Sequence, residues 1–382
     1  MHKRLALALL LWPAMVSAQA DLADEPAAET DEPSDVPVPM PMSERETHPN
    51  ADAEADETIQ WIPGIETFGA YRLQVVESAG ENDREWFHIF ELERALLWLG
   101  VQYGDLSARI MLEAVQSADE AGLLAIGGDS LVIRVREAWA GYNVRDWVDL
   151  RAGMVRTLTQ PMVESVERLR PVGKGPHERF NLLYPADVGA TAVLRLPHGL
   201  GRIGAGVTNG EGYRNREMNR GKTTELFAEL RPLATLGAEG LVISGSYILG
   251  SEGSGSARAD RATVIVAWDD DWLKVGGSFT YALGFEGNGA REGWLAHGFA
   301  RVELFDRLIL GARADHFRRD TDDSEDAITT YQGTVGFRVM EPLETYLSLS
   351  RDVPGDRARA ALPGSDLWEL SLLIRLRVEG LP

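Results

Sequence analysis

Arginines two residues apart from another charged residue, inside segments of alternating polarity, are the groups in this chain best suited to chemistry. Arg151 follows Asp149, Arg231 follows Glu229 and Arg377 follows Arg375, each at a spacing of two. In an extended chain that spacing puts both side chains on one face. Each guanidinium then offers a planar fork of donors that fits an oxyanion or a carboxylate. Arg109, Arg195, Arg202, Arg313, Arg338 and the carboxylate Glu113 occupy comparable positions in other alternating segments. A second concentration lies between 157 and 187, where Arg168, Arg170, Lys174 and Arg179 stand among Glu164, Glu167 and Glu178. Two roles are open to these groups: guiding a solute, or pairing with one another to brace a wall.

Hydrolytic and metal chemistry have less support. His88, His177, His198, His297 and His316 are scattered, and none has the HExxH spacing or another metal-binding spacing. Ser130, Ser165 and Ser244 lack the GxSxG elbow. No catalytic residue, metal or cofactor is therefore expected. A hydrolase would have to assemble a triad from adjacent strands, with His297 or His316 beside an interior carboxylate. The glycines of 250–255 read as a loop tip, because no helix follows to hold a phosphate.

The elements that would position the arginines are strands. From Leu131 to Arg156 the chain forms two alternating runs around a polar turn, with Val148, Leu150, Ala152 and Met154 on one face and Asp149, Arg151 and Gly153 on the other. Sixteen such segments run from Phe68 to Val378, at lengths that suit tilted strands crossing a bilayer. Short connections such as Gly104-Asp105, Phe305-Asp306 and 340–342 alternate with long polar ones such as 157–187, 209–222 and 352–365. An unbroken apolar stripe in the last segment, Trp368 to Val378 in steps of two, opposes Glu369, Ser371, Arg375 and Arg377. In the second and fourth segments, Glu91, Glu93 and Arg94 cannot share a face without a bulge. The expected fold is all-β: one 16-stranded antiparallel transmembrane barrel with short periplasmic turns and long extracellular loops. A secreted carbohydrate-binding β-sandwich is the soluble alternative, and would bury the apolar stripes.

The first twenty residues carry Lys3 and Arg4, an apolar run at 5–11 and small residues at Ala18 and Ala20, the pattern of a secretory signal peptide. Residues 21–60 hold thirteen carboxylates against Arg45 alone, about −12 of the whole chain's −21, and read as a disordered acidic Pro/Ala-rich spacer. The barrel domain is then 61–382. The chain contains no cysteine, so its fold uses no disulfide.

The run REAWAGYNVRDWVDLRAGMVRTLTQP, with Arg179, GVTNGEGY at Gly206–Tyr213 and TTELFAELRPL at Thr223–Leu233, resembles the phosphate-selective porin O/P family of Gram-negative outer membranes. The similarity covers about residues 65–380 in order and spacing. It implies a trimeric outer-membrane channel for small hydrophilic solutes, anions such as phosphate among them, with the third loop as constriction. Implied surroundings are outer-membrane lipid and lipopolysaccharide; nucleic acid is not an expected partner. The resemblance assigns Arg168, Arg170, Lys174, Arg179, Glu164 and Glu167 to the constriction. Arg109, Glu113, Asp149, Arg151, Arg195, Arg202, Glu229, Arg231, Arg313, Arg338, Arg375 and Arg377 would line the wall. The chain departs from the family in having only four lysines.

Overall fold

A computed structural model describes residues 58–77, 84–117, 130–214, 220–252, 256–285, 287–361 and 365–380 of the chain. The export segment and nearly all of the acidic spacer expected from the sequence lie outside the described residues. The strands of the first half are β1 (Gln60–Glu77), β2 (Arg84–Tyr103), β3 (Leu106–Ser117), β4 (Ser130–Val144), β5 (Val148–Arg156), β6 (Ala186–Leu196), β7 (Gly201–Thr208), β8 (Thr223–Leu230) and β9 (Leu241–Leu249). A two-residue pairing, β10 (Ser251–Glu252) with β11 (Ala257–Arg258), projects from the next connection. The second half supplies β12 (Asp260–Asp269), β13 (Leu273–Phe285), β14 (Asn288–Leu304), β15 (Leu308–Arg318), β16 (Ala327–Met340), β17 (Leu343–Pro354) and β18 (Leu367–Glu379).

All strands except β10 and β11 form one closed antiparallel barrel of sixteen, in which each pairs with its neighbour in the chain and β1 closes on β18. A single closed sheet replaces the two packed sheets of the sandwich alternative. No helix among the described residues is long and apolar enough to cross a membrane. Closure leaves no edge, so the barrel backbone is satisfied within the sheet, the condition for crossing hydrocarbon. The outer face is apolar: Leu97, Ile110, Ile133, Leu150, Ile203, Leu226, Val264, Leu347 and Leu372 are all exposed. Connections on one rim are short; the β4–β5 link is a single 3₁₀ turn at Arg145–Trp147. On that rim the β8–β9 link is longer and includes a 3₁₀ turn at Ala234–Leu236. On the opposite rim the β13–β14 link is tight, since Phe285 still pairs with Asn288.

Two bulges resolve the strands whose alternation breaks. Phe68 pairs with Arg94 while Gly69 pairs with Leu92, so Glu93 is the extra residue of β2. Met111 pairs with Glu137 while Leu112 pairs with Val135, so Arg136 is the extra residue of β4. A bulge resets which face the next side chain takes. Adjacent charged residues, Glu93 with Arg94 and Arg136 with Glu137, are therefore all buried on the interior side.

The interior is not uniformly polar. Ala70, Phe227, Val242, Ile265, Ala267, Phe299, Ile309, Tyr346 and Leu373 point inward and are buried, forming an apolar patch on the wall from β8 round to β1. Against it packs the connection between β5 and β6, which folds into α1 (Thr159–Glu167), a 3₁₀ turn at Arg170–Val172 and α2 (Pro176–Arg179). Met162, Val163, Val166, Leu169 and Val172 of this segment are at most 3 % exposed. Gly311 on β15 makes room for it, because a Cβ there would lie 2.7 Å from a methyl of Leu169.

Candidate functional site

The candidate site comprises the inserted loop and the charged inner wall of β2 to β7, which the loop meets at Glu93 and Arg94. The loop is fixed at its start by Glu225 of β8, whose carboxylate accepts the backbone N–H groups of Leu158 (2.9 Å) and Thr159 (2.8 Å) and the hydroxyl of Thr159. These are donors at the start of α1 that the helix itself cannot satisfy. At the end of α1 Arg168 adopts the left-handed conformation and its N–H bonds to the carbonyl of Glu164. The chain then turns toward β2.

There it meets a cluster of charges. Glu113 of β3 is fully buried and pairs with Arg94 (2.8 Å), Arg134 (3.0 Å) and Arg136 (3.0 Å), while accepting the hydroxyl of Tyr213 (2.6 Å). Tyr213 belongs to the connection after β7, and the guanidinium carbons of Arg134, Arg136 and Arg214 lie 5.3–5.6 Å from its ring centroid. Glu178 of α2 takes Arg94 (3.2 Å), Arg170 (3.4 Å) and Arg214. Arg170 also pairs with Glu93 (3.1 Å), and Glu164 lies 3.8 Å away. Burial by itself would push the Glu178 carboxyl up, but Arg170, Arg94, Arg136 and Arg214 together hold it well below the usual carboxylate range. Burial pushes Lys174 down, and Arg214 adds to that effect. Burial likewise lowers Arg168, which faces Asp269 and Arg301 near the other rim.

The remaining expected loop residues serve as anchors. Glu167 is buried against Arg313 (3.4 Å), whose guanidinium also donates to the carbonyl of Lys174 (2.9 Å). Arg179 reaches Asp352 of β17 and the hydroxyl of Thr330 on β16 (3.1 Å). His297 of β14 bonds Asp315 of β15 through Nδ1 (2.5 Å), one of the pairings a hydrolase would need. Its Nε2 faces Glu167 at 3.8 Å, and the ring is buried under the loop.

Each expected wall residue on a strand faces the interior, yet exposure separates the two signs of charge. At four places along β3 to β8 a partly exposed arginine stands over a buried carboxylate, whereas Arg136 of β4 is itself buried. Side-chain exposure is 26 % for Arg134 over 0 % for Glu113, and 33 % for Arg151 over 8 % for Asp149. It is 34 % for Arg202 over 7 % for Glu229, and 31 % for Arg156 over 3 % for Glu137. Arg195 also leans on Asp149, Arg109 on Glu137 and Arg231 on Glu229. Across the barrel Arg375 bridges Glu66 and Glu344, Arg338 bridges Glu303 and Glu344, and Arg377 pairs with Glu379. Arg313 and Glu113 are covered, so they brace the wall and do not border open space.

Sequence reasoning passed over Arg134, Arg136, Arg156 and Arg214. Arg136 is hidden by the bulge, and Arg214 belongs to a connection that gives no sign in the sequence of bending inward. The signal that was available for Arg134 and Arg156 is their place at the inner face of β4 and at the entry to the loop.

No protein-family model and no curated protein matches the sequence. Among solved structures, the chain is similar to OmpF of Salmonella typhi, solved with daunomycin, at 12 % identity, TM-score 0.58, covering 84 % of this chain and 97 % of that one. It is similar to the anion-selective porin of Comamonas acidovorans at 12 % identity, TM-score 0.57, covering 84 % and 99 %. Pseudomonas putida OprB is matched at 10 % identity, TM-score 0.56, covering 85 % and 95 %. At these identities what is shared is the fold, that of the sixteen-stranded outer-membrane porins.

Proposed function

We propose that this chain is an outer-membrane porin, a water-filled channel for passive diffusion of small hydrophilic solutes, with a preference for anions. The observation that carries the reading is the layering of charge inside the barrel, with arginines in contact with water and their carboxylates buried beneath them. A solute ion responds most strongly to the charges it can approach, because attraction falls with distance and the ionic atmosphere screens the rest. A wall whose formal charge is nearly balanced therefore presents a cationic surface. Guanidinium forks along that surface replace part of an oxyanion's hydration shell. One of the similar folds is an anion-selective porin, which agrees with this direction.

The chain sits in the Gram-negative outer membrane in contact with lipid and lipopolysaccharide, exported by residues 1–20, with the acidic segment 21–60 ahead of the barrel. Its resemblance to the phosphate-selective O/P family makes phosphate the first solute to try. A homotrimer is the expected assembly; Vibrio cholerae OmpT, similar in fold at a TM-score of 0.51, was solved in a trimer form. Diffusion and not turnover is the activity, since the buried His297–Asp315 pair meets Glu167 where a triad would need a nucleophile.

Planar-bilayer recording tests the reading directly. Discrete conductance steps with a reversal potential on the anion side in a salt gradient are the expected result. Absence of steps defeats the channel, and a cation-side reversal potential defeats the arginine surface.

A further inference from the structure

Three consecutive residues of α2 hold three different sectors of the wall. His177 lies against β13, its Nε2 3.1 Å from the Thr280 hydroxyl and 3.4 Å from that of Ser278. Glu178 grips Arg94 of β2, and Arg179 grips Asp352 of β17. In the order of strands round the barrel, β2 and β13 are separated by six strands on one side and eight on the other. They are nearly opposite, so α2 is a strut across the lumen. Two of its three holds are ion pairs. The third is a fully buried imidazole among hydroxyls, whose Nδ1 has no hydrogen-bond partner among the described residues.

We propose that His177 positions the constriction loop and that its protonation releases the strut, so that the channel changes its conductance as the outside medium turns acid. The inference rests on the porin reading. β13 presents only hydroxyls to the ring. The titratable and charged groups facing it are His297 on β14, with ring centroids 6.0 Å apart, Asp315 on β15 behind that ring, and Glu167 at the end of α1, held by Arg313. No carboxylate among the described residues is hydrogen-bonded to His177, so a proton on it adds a buried charge without a direct counter-ion. The neighbouring Glu178 stays ionised because four arginines surround it, so its hold on β2 does not loosen over the same range.

Burial, reinforced by His297 and only partly offset by Asp315, lowers His177 to about 3. Free of the wall it would titrate near the ordinary value of about 6.5. The docked state therefore binds the proton less well than the undocked one. Docking is at full strength above about pH 6.5 and weakens as pH falls toward 3. Between pH 8 and pH 5 the undocked population should rise about 30-fold by this linkage.

The test records the full-length protein in planar bilayers from pH 8 to pH 5, as wild type, His177→Asn and His177→Phe. The expected result is an increase of about 30-fold in the time spent at an altered conductance level for wild type, and a flat profile for both variants. A flat wild-type profile, or variants that keep the wild-type dependence, overturns the proposal. Hydrogen exchange of wild-type peptides covering 158–183 gives a reading that does not depend on variants folding or on conductance. Loss of protection at pH 5 beyond the intrinsic rate change supports the strut, and unchanged protection refutes it. If no protein conducts even at pH 8, the channel reading fails while exchange still judges the strut.

Discussion

Glu113→Gln is the perturbation for which the structure sets the sharpest expectation. The native carboxylate is wholly buried and balances Arg94, Arg134 and Arg136 at 2.8–3.0 Å, and it accepts the hydroxyl of Tyr213. Of the three arginines, Arg94 and Arg136 are themselves buried, so neither can turn to water when the charge is removed. Arg94 keeps Glu178 as a second partner, whereas Arg136 has no other ion pair within 4 Å among the described residues. Breaking a buried pair from one side costs about 3–5 kcal/mol, roughly two to four orders of magnitude in the folding constant. Glu91→Gln is the control: Glu91 is 31 % exposed and its partner Arg72 retains Glu93 and Glu369. Its cost should fall under about 1 kcal/mol. Tryptophan fluorescence during urea unfolding of the two refolded barrels, read as midpoint at constant slope, measures both. Equal losses for Glu113→Gln and Glu91→Gln would refute the burial argument.

Four further outcomes follow from the same geometry. Leu169→Ala removes a buried anchor of the inserted loop and should cost about 2–5 kcal/mol, visible as noisier single-channel current as well as a lower unfolding midpoint. Glu225→Gln weakens the acceptor at the start of α1 and should cost about 1.5–3 kcal/mol, with exchange protection lost first at Leu158 and Thr159. Neutralising Arg151 and Arg202 together should move the reversal potential toward the cation side, and the shift should shrink as salt is raised toward 1 M, where the screening length is about 3 Å. Tyr213→Phe removes one hydrogen bond to a buried carboxylate and should cost about 1.5–3 kcal/mol, which a Glu113→Gln background should largely abolish.

Much of the barrel was legible because period-two alternation and the contrast in loop length are local properties of the chain. The connection Gly104-Asp105 and the resumption of strand after 342 agree to the residue, and the difficulty at Glu91, Glu93 and Arg94 announced the bulge that the pairing contains. The apolar interior patch was hidden for a physical reason. Where Leu373 stands between Leu372 and Ile374, three apolar residues in a row do not reveal that the middle one faces a loop two hundred residues away. The sign of the water-facing charge was hidden for another. Counting residues weighs Glu113 and Arg134 equally, whereas the fold covers one and leaves the other in contact with the lumen.

The two bulges also make the barrel a parity device. Because each side chain's destination depends on whether its distance from the bulge is odd or even, deleting Glu93 or Arg136 would invert every position on one side of it. Glu91 would be carried toward hydrocarbon and Phe90 into the lumen, and in β4 Arg134 would trade places with Ile133 and Val135. A charged side chain on the lipid side costs up to about 2–4 kcal/mol near the bilayer midplane. Lineages of this barrel should therefore accept single-residue insertions and deletions in their loops, and in these two strands only in compensating pairs.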